Sequence, residues 1–194
     1  MNFIILYSSR GTTMQAVMEA VDDGSLTMEC LGLVSDKEDR ECVAKANKAG
    51  WPVAIVEKID GEQREDYDKR IDQACKDLGA DNHTLIAALG WMFILSPWFV
   101  TAWANRIINV HPALLPKHPG GHAIKDTIES GDEEGGMSIH IIDEGVDTGP
   151  ILVQKKCTIE EGETEDSLKQ KIQALEKEEY PKLLQSIESG AVTL

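Results

Sequence analysis

Phe3-Ile4-Ile5-Leu6-Tyr7-Ser8-Ser9-Arg10-Gly11-Thr12-Thr13-Met14 is the stretch on which the fold turns. An unbroken apolar run suits a strand buried on both faces, and it stops at a short polar turn. Past the turn, Met14, Val17, Met18 and Val21 recur at helical spacing, so the segment reads as strand, tight loop, helix. The alternation then repeats. Strands are expected over residues 28–34, 53–56, 84–89 and 107–110, with helices over 39–49 and 62–78. A short helix is expected over 97–104, with Pro97 at its first position and Ser96 as its N-cap. Strands alternating with helices specify an α/β fold with a doubly wound, mostly parallel sheet.

Beyond residue 132 the pattern changes. Residues 137–142 and 151–159 are both apolar and lie too close together for a helical crossover, so an antiparallel pair extends the sheet. A long C-terminal helix is expected over 164–189, opened by Thr164-Glu165-Asp166 and closed by Gly190. No repeat, low-complexity tract or linker interrupts the chain, and residues 1–194 are expected to form one domain. The glycines and charges of 118–132 suit a closing flap and an ordinary surface loop equally.

Charge narrows the function. With 34 acidic against 19 basic residues, the net charge is −15, which argues against nucleic acid as a partner. No apolar run is long enough to span a membrane and the first residues lack the basic region of a signal peptide, so a cytoplasmic protein is expected. Cys30, Cys42, Cys75 and Cys157 are scattered with no C-x-x-C pair, as reduced thiols would be. Nothing in the pattern specifies an oligomeric state.

Three motifs carry chemistry. Asn109-Val110-His111-Pro112 ends a strand, and positions two apart face the same side, so an amide and an imidazole can act on one atom. Open α/β sheets bind ligands beyond the carboxyl ends of their strands, where this pair falls. Asp147, in the glycine-bearing loop 143–150, completes a candidate set of amide, imidazole and carboxylate. The turn at residues 8–13 lies where backbone N–H groups and the helix dipole favour an anion. Gly11 permits close approach, Thr12 and Thr13 offer hydroxyls and Arg10 adds charge, although an ordinary βα turn is an equal reading. Gly90-Trp91-Met92-Phe93-Ile94-Leu95 is too apolar for a solvent loop and reads as core or as the wall of a flat ligand's pocket.

Taken together, Asn109-Val110-His111-Pro112-Ala113-Leu114-Leu115-Pro116, Pro119-Gly120-Gly121-His122-Ala123 and the loop from Asp143 to Pro150 resemble the signature of folate-dependent formyltransferases. Within that superfamily the chain is most similar to the branch acting on phosphoribosylglycinamide in purine biosynthesis. The resemblance implies a Rossmann-like formyltransferase fold, 10-formyltetrahydrofolate as co-substrate, a small phosphorylated amine as acceptor and no metal. It implies Asn109, His111 and Asp147 as catalytic residues, Arg10, Gly11, Thr12 and Thr13 around the substrate phosphate, and Glu176 near its ribose. Folate contacts are implied for Arg64, Met92, Phe93, Ile94, Leu95, Ile142, Asp143, Glu144, Gly145 and Val146. Ser138 and His140 align near the catalytic groups, with His140 expected to be structural.

The chain departs from the family pattern in places. Ser9 stands where the phosphate loop usually has glycine, Thr13 where it has asparagine, and Phe93 where arginine is common. These changes leave the reaction class intact and open the acceptor to other phosphorylated or sugar amines. Hydrolysis of 10-formyltetrahydrofolate and a non-catalytic folate-binding role are the competing readings. The turn at 8–13 has no use in a hydrolase, and mere binding does not need Asn109, His111 and Asp147 together.

Overall fold

The computed structural model describes residues 1–9 and 11–194. In chain order the elements are β1 (Asn2–Tyr7), α1 (Thr12–Asp22), β2 (Glu29–Ser35), α2 (Glu41–Lys48), β3 (Val53–Ile55), α3 (Arg64–Asp77), β4 (Thr84–Ala88), α4 (Pro97–Ala102), β5 (Ile107–His111), α5 (Ala123–Glu129), β6 (Glu134–Ile141), β7 (Ile151–Thr158) and α6 (Glu165–Glu188). The strands form one sheet in the order β3-β2-β1-β4-β5-β6-β7. Pairings from β3 through β5 are parallel, and β6 runs antiparallel to both β5 and β7. This is the doubly wound α/β sheet with an antiparallel extension that the hydrophobic pattern specifies.

Strand β1 shows why the sheet is covered on both sides. Phe3, Ile5 and Tyr7 enter one apolar layer with side chains of α1, α2 and α6, while Ile4 and Leu6 enter the opposite layer with α3 and α4. Successive strand residues point to opposite faces, so an uninterrupted apolar run serves both. Helix α6 is docked from its middle: the Tyr180 hydroxyl, fully buried, donates to the Ile108 carbonyl on β5 at 2.9 Å. That bond ties the cleft-facing side of α6 to the strand carrying Asn109.

The helix ends follow from their caps. Ser96 Oγ accepts from Phe99 N at the start of α4, and Thr164 forms a reciprocal capping box with Ser167 at the start of α6. Helix α1 is different: Gly11 is its N-cap, with φ 75° and no side-chain cap. A Cβ at Gly11 would stand 3.1 Å from Cys42 Cβ, so both the backbone angle and the packing favour glycine. The segment 118–132 contains α5, a short helix that sequence periodicity did not reveal. Among the described residues no helix is long and apolar enough to cross a membrane.

Candidate active site

A cavity of about 500 Å³ opens where the C-terminal ends of β1, β4 and β5 meet the loops around residues 120 and 145 and one face of α6. The chain leaves β1 for β2 on one side and places β4 on the other, so the cavity sits at the topological switch point. Ser8 holds two of its walls together. Its hydroxyl donates to the Gly90 carbonyl at 3.2 Å and accepts from Met92 N at 2.9 Å, clamping the loops after β1 and β4.

The reactive end is built on β5 and β6. Asn109 pairs across the ladder with His140, and His111 with Ser138. Ser138 Oγ donates to the Ala113 carbonyl and accepts from Leu115 N, which fixes the loop leaving His111. His140 Nδ1 faces the Ile141 carbonyl at 3.0 Å, which places a ring proton on that nitrogen, and Nε2 accepts from Asn109 Nδ2 at 3.1 Å. An amide nitrogen has two protons; the second is left for a ligand. His111 Nε2 donates to the His118 carbonyl at 2.8 Å, which leaves Nδ1 facing Asp147 Oδ2 at 3.3 Å.

Asp147 is the hub. Its Oδ2 accepts from Gly120 N at 2.8 Å, and its Oδ1 lies 3.4 Å from His140 Nε2. The loop that delivers it is tight: Asp147 has φ 55°, and a Cβ on Gly149 would fall 1.9 Å from the Ile141 carbonyl oxygen. Burial alone would raise the Asp147 carboxyl, but the Gly120 N–H that it accepts and the attraction of the His111 ring outweigh it and hold it below the usual carboxylate range. Burial pushes His111 below the ordinary imidazole value, against the opposing pull of Asp147. At neutral pH the pair is therefore a carboxylate beside a neutral imidazole, poised to receive one proton between them.

The opposite end is polar and anion-friendly. The N-cap of α1, Gly11, supplies no side-chain cap, and Ser9, Thr12 and Thr13 line the cavity beside it. Thr13 Oγ1 donates to Glu176 Oε2 at 2.9 Å. Burial pushes the Glu176 carboxyl up to about 7, with the Thr13 bond pulling the other way. Between the two ends runs an apolar wall of Trp91, Met92, Phe93, Ile94 and Leu95, facing Ile142 and Val146. Met92 and Ile94 are 65% and 56% exposed, an arrangement that suits a flat, largely apolar ligand. Trp91, Phe93 and Tyr67 brace that wall by packing their rings 5.3 to 6.3 Å apart.

Comparison with known proteins now bears on this geometry. Residues 1–184 match the family model described as "Formyl transferase". The chain belongs to the formyl transferase family. The phosphoribosylglycinamide formyltransferase of Escherichia coli K12 is 32% identical over 194 residues, a match covering all of this chain and 90% of that protein. The trifunctional purine biosynthetic protein adenosine-3 of Drosophila pseudoobscura is 37% identical over 190 residues, and the chain spans 14% of its length. Among solved structures, the phosphoribosylglycinamide formyltransferase of Bacillus halodurans superposes with a TM-score of 0.92 at 34% identity, covering 100% of this chain and 98% of that one.

Within this cavity, most of the residues singled out from sequence converge. Asn109, His111, Asp147, Thr12, Thr13, Glu176, Met92, Phe93, Ile94, Leu95, Ile142, Asp143, Gly145 and Val146 line one cavity. Gly11 sits just behind it as the α1 cap, and Glu144 is exposed outside it. Arg64 stands exposed at the start of α3, away from the cavity lining. Arg10 lies outside the described residues. His140 touches both Asn109 and Asp147. Trp91, Gly120, Lys169 and Gln173 also line the cavity and were not singled out as site residues from sequence. Lys169, Gln173 and Glu176 share one helical face at i, i+4 and i+7, the signal that could have found them. Among the described residues no group of His, Cys, Asp and Glu is arranged to hold a metal ion.

Proposed function

We propose that the chain transfers the formyl group of 10-formyltetrahydrofolate to the primary amine of phosphoribosylglycinamide, giving the N-formyl product and tetrahydrofolate. The observation that carries the reading is the meeting of Asn109, His111, His140 and Asp147 in a cavity with an apolar wall on one side and a glycine-capped helix N-terminus on the other.

The amine nitrogen attacks the formyl carbon, and the carbonyl oxygen takes the negative charge. The free proton of Asn109 Nδ2 is the donor for that oxyanion, its other proton being held by His140 Nε2. The attacking nitrogen then loses a proton to the Asp147 carboxylate or His111 Nδ1, directly or through one water. Collapse of the tetrahedral carbon breaks its bond to N10 of the folate, and the same proton passes to N10. Atoms and charge balance without a covalent enzyme intermediate, because the amine is itself the nucleophile.

Met92, Ile94 and Val146 are proposed to flank the pterin, with Asp143 and Gly145 shaping the loop over it. The N-terminus of α1 is proposed to take the phosphate and Glu176 the ribose. Arg10 is proposed to bring charge to the phosphate, and the exposed Arg64 to bring charge to the folate's glutamate tail. We place the reaction in the cytoplasm, with residues 1–194 acting as one catalytic domain on small molecules.

The test is the absorbance change as 10-formyltetrahydrofolate is deformylated, with and without phosphoribosylglycinamide. Turnover that requires the amine is expected. Amine-independent turnover would indicate a hydrolase, and no turnover in either case would point to another acceptor.

A further inference from the structure

Four lysines on helices of this protein pair with carboxylates one turn away. Lys69 binds Glu65, Lys76 binds Asp72, Lys125 binds Glu129 and Lys182 binds Glu178. Lys169 has Glu165 at i−4 and Asp166 at i−3, the orientation that stabilises a helix best. It nevertheless forms no ion pair with either. Its side chain instead lines the cavity, in register with Gln173 and Glu176. It also borders a shallower depression of about 240 Å³ shared with Pro112 and His122, so it stands at a junction rather than packed against a neighbour.

The cavity's charge inventory makes that placement significant. Among the described residues it is lined by three carboxylates, Asp143, Asp147 and Glu176, and by one ammonium, that of Lys169. A phosphate dianion entering here is favoured by positive charge that adds to the partial charge of a helix N-terminus. The hydroxyl proton of Thr13 is already given to Glu176, which removes a donor from the turn. Lys169 is also close enough to Glu176 to favour its ionised form.

We propose that Lys169 binds the phosphate of the acceptor amine and so sets the preference for a phosphorylated substrate, an inference that rests on the acceptor reading above. The ammonium is a mobile point charge on a four-carbon stem, suited to a phosphate held mainly by backbone N–H groups.

The test compares wild type, Lys169→Ala and Lys169→Arg with phosphoribosylglycinamide and with its dephosphorylated nucleoside. Loss of a charged contact should raise the KM for the phosphorylated amine about tenfold or more, with kcat and the KM for 10-formyltetrahydrofolate changing far less. The dephosphorylated amine should be almost indifferent to the substitution, and arginine should restore most of the loss. Equal shifts in KM for both amines, or none for either, would overturn the proposal. Should the wild type fail to turn over either amine, the acceptor reading falls by itself. Calorimetric titration with ribose 5-phosphate then decides on Lys169: about tenfold weaker binding by Lys169→Ala supports it, and unchanged or absent binding overturns it.

Discussion

Replacing Glu176 by glutamine should change how stability depends on pH. The carboxyl is 8% exposed and accepts the Thr13 hydroxyl proton at 2.9 Å, and burial raises it to about 7 from 4.5. Since the folded protein holds this proton more tightly than the unfolded chain, the associated stability is fully present below about pH 4.5 and is lost as pH rises through about 7. The gap between the two values corresponds to roughly 3 kcal/mol, of which about 2.5 kcal/mol is lost between pH 5 and pH 8. Glutamine is nearly isosteric, still accepts from Thr13 and does not ionise. Urea denaturation of both proteins at several pH values gives the assay. Glu176→Gln should gain about 2 to 3 kcal/mol on wild type between pH 5 and pH 8, while the remaining titrating groups cancel in the difference. A difference that stays flat over this range would show that Glu176 is ionised in the fold throughout, and would refute the account of its burial.

Three further outcomes follow from the site. Asp147→Asn should lower kcat by roughly a thousandfold with the melting temperature little changed, because it removes the charge between His111 and His140; near-normal turnover in the folded variant would take Asp147 out of the mechanism. Asn109→Ala should lower kcat by about 10² to 10³, the usual loss for one oxyanion donor, and a change confined to KM would reassign Asn109 to substrate binding. Gly149→Ala brings a Cβ to 1.9 Å from the Ile141 carbonyl oxygen, so chemical denaturation should show a loss of about 1 to 3 kcal/mol. Since the same loop delivers Asp147, activity should fall with it, and a stable, fully active variant would mean the loop relaxes freely.

Much of the fold was legible because its signals are local. The apolar runs of β1, β4 and β5 and the caps at Ser96 and Thr164 are each confined to a few residues. Helix α5 escaped because it is seven residues long and flanked by glycines, too short for periodicity to register. Arg64 was assigned by resemblance rather than by pattern, and the fold leaves it on the surface.

The candidate catalytic cluster divides along the same line. Asn109 and His111 could be placed side by side from their spacing alone, since a strand's period of two is a local property. Their partners could not. His140 comes opposite Asn109 only through the antiparallel register of β6, and Asp147 reaches both imidazoles only because Gly149 lets its loop pass within contact of the Ile141 carbonyl. Glu176 and Lys169 face the cavity because Tyr180 docks α6 onto β5, more than sixty residues away in the chain. Chain-local pattern therefore determined most of the elements and the fold class, and motif resemblance pointed to the family. Long-range packing decided which protons are held, which carboxyl is raised and which lysine is left unpaired, because burial and cross-sheet contacts exist only once distant segments meet.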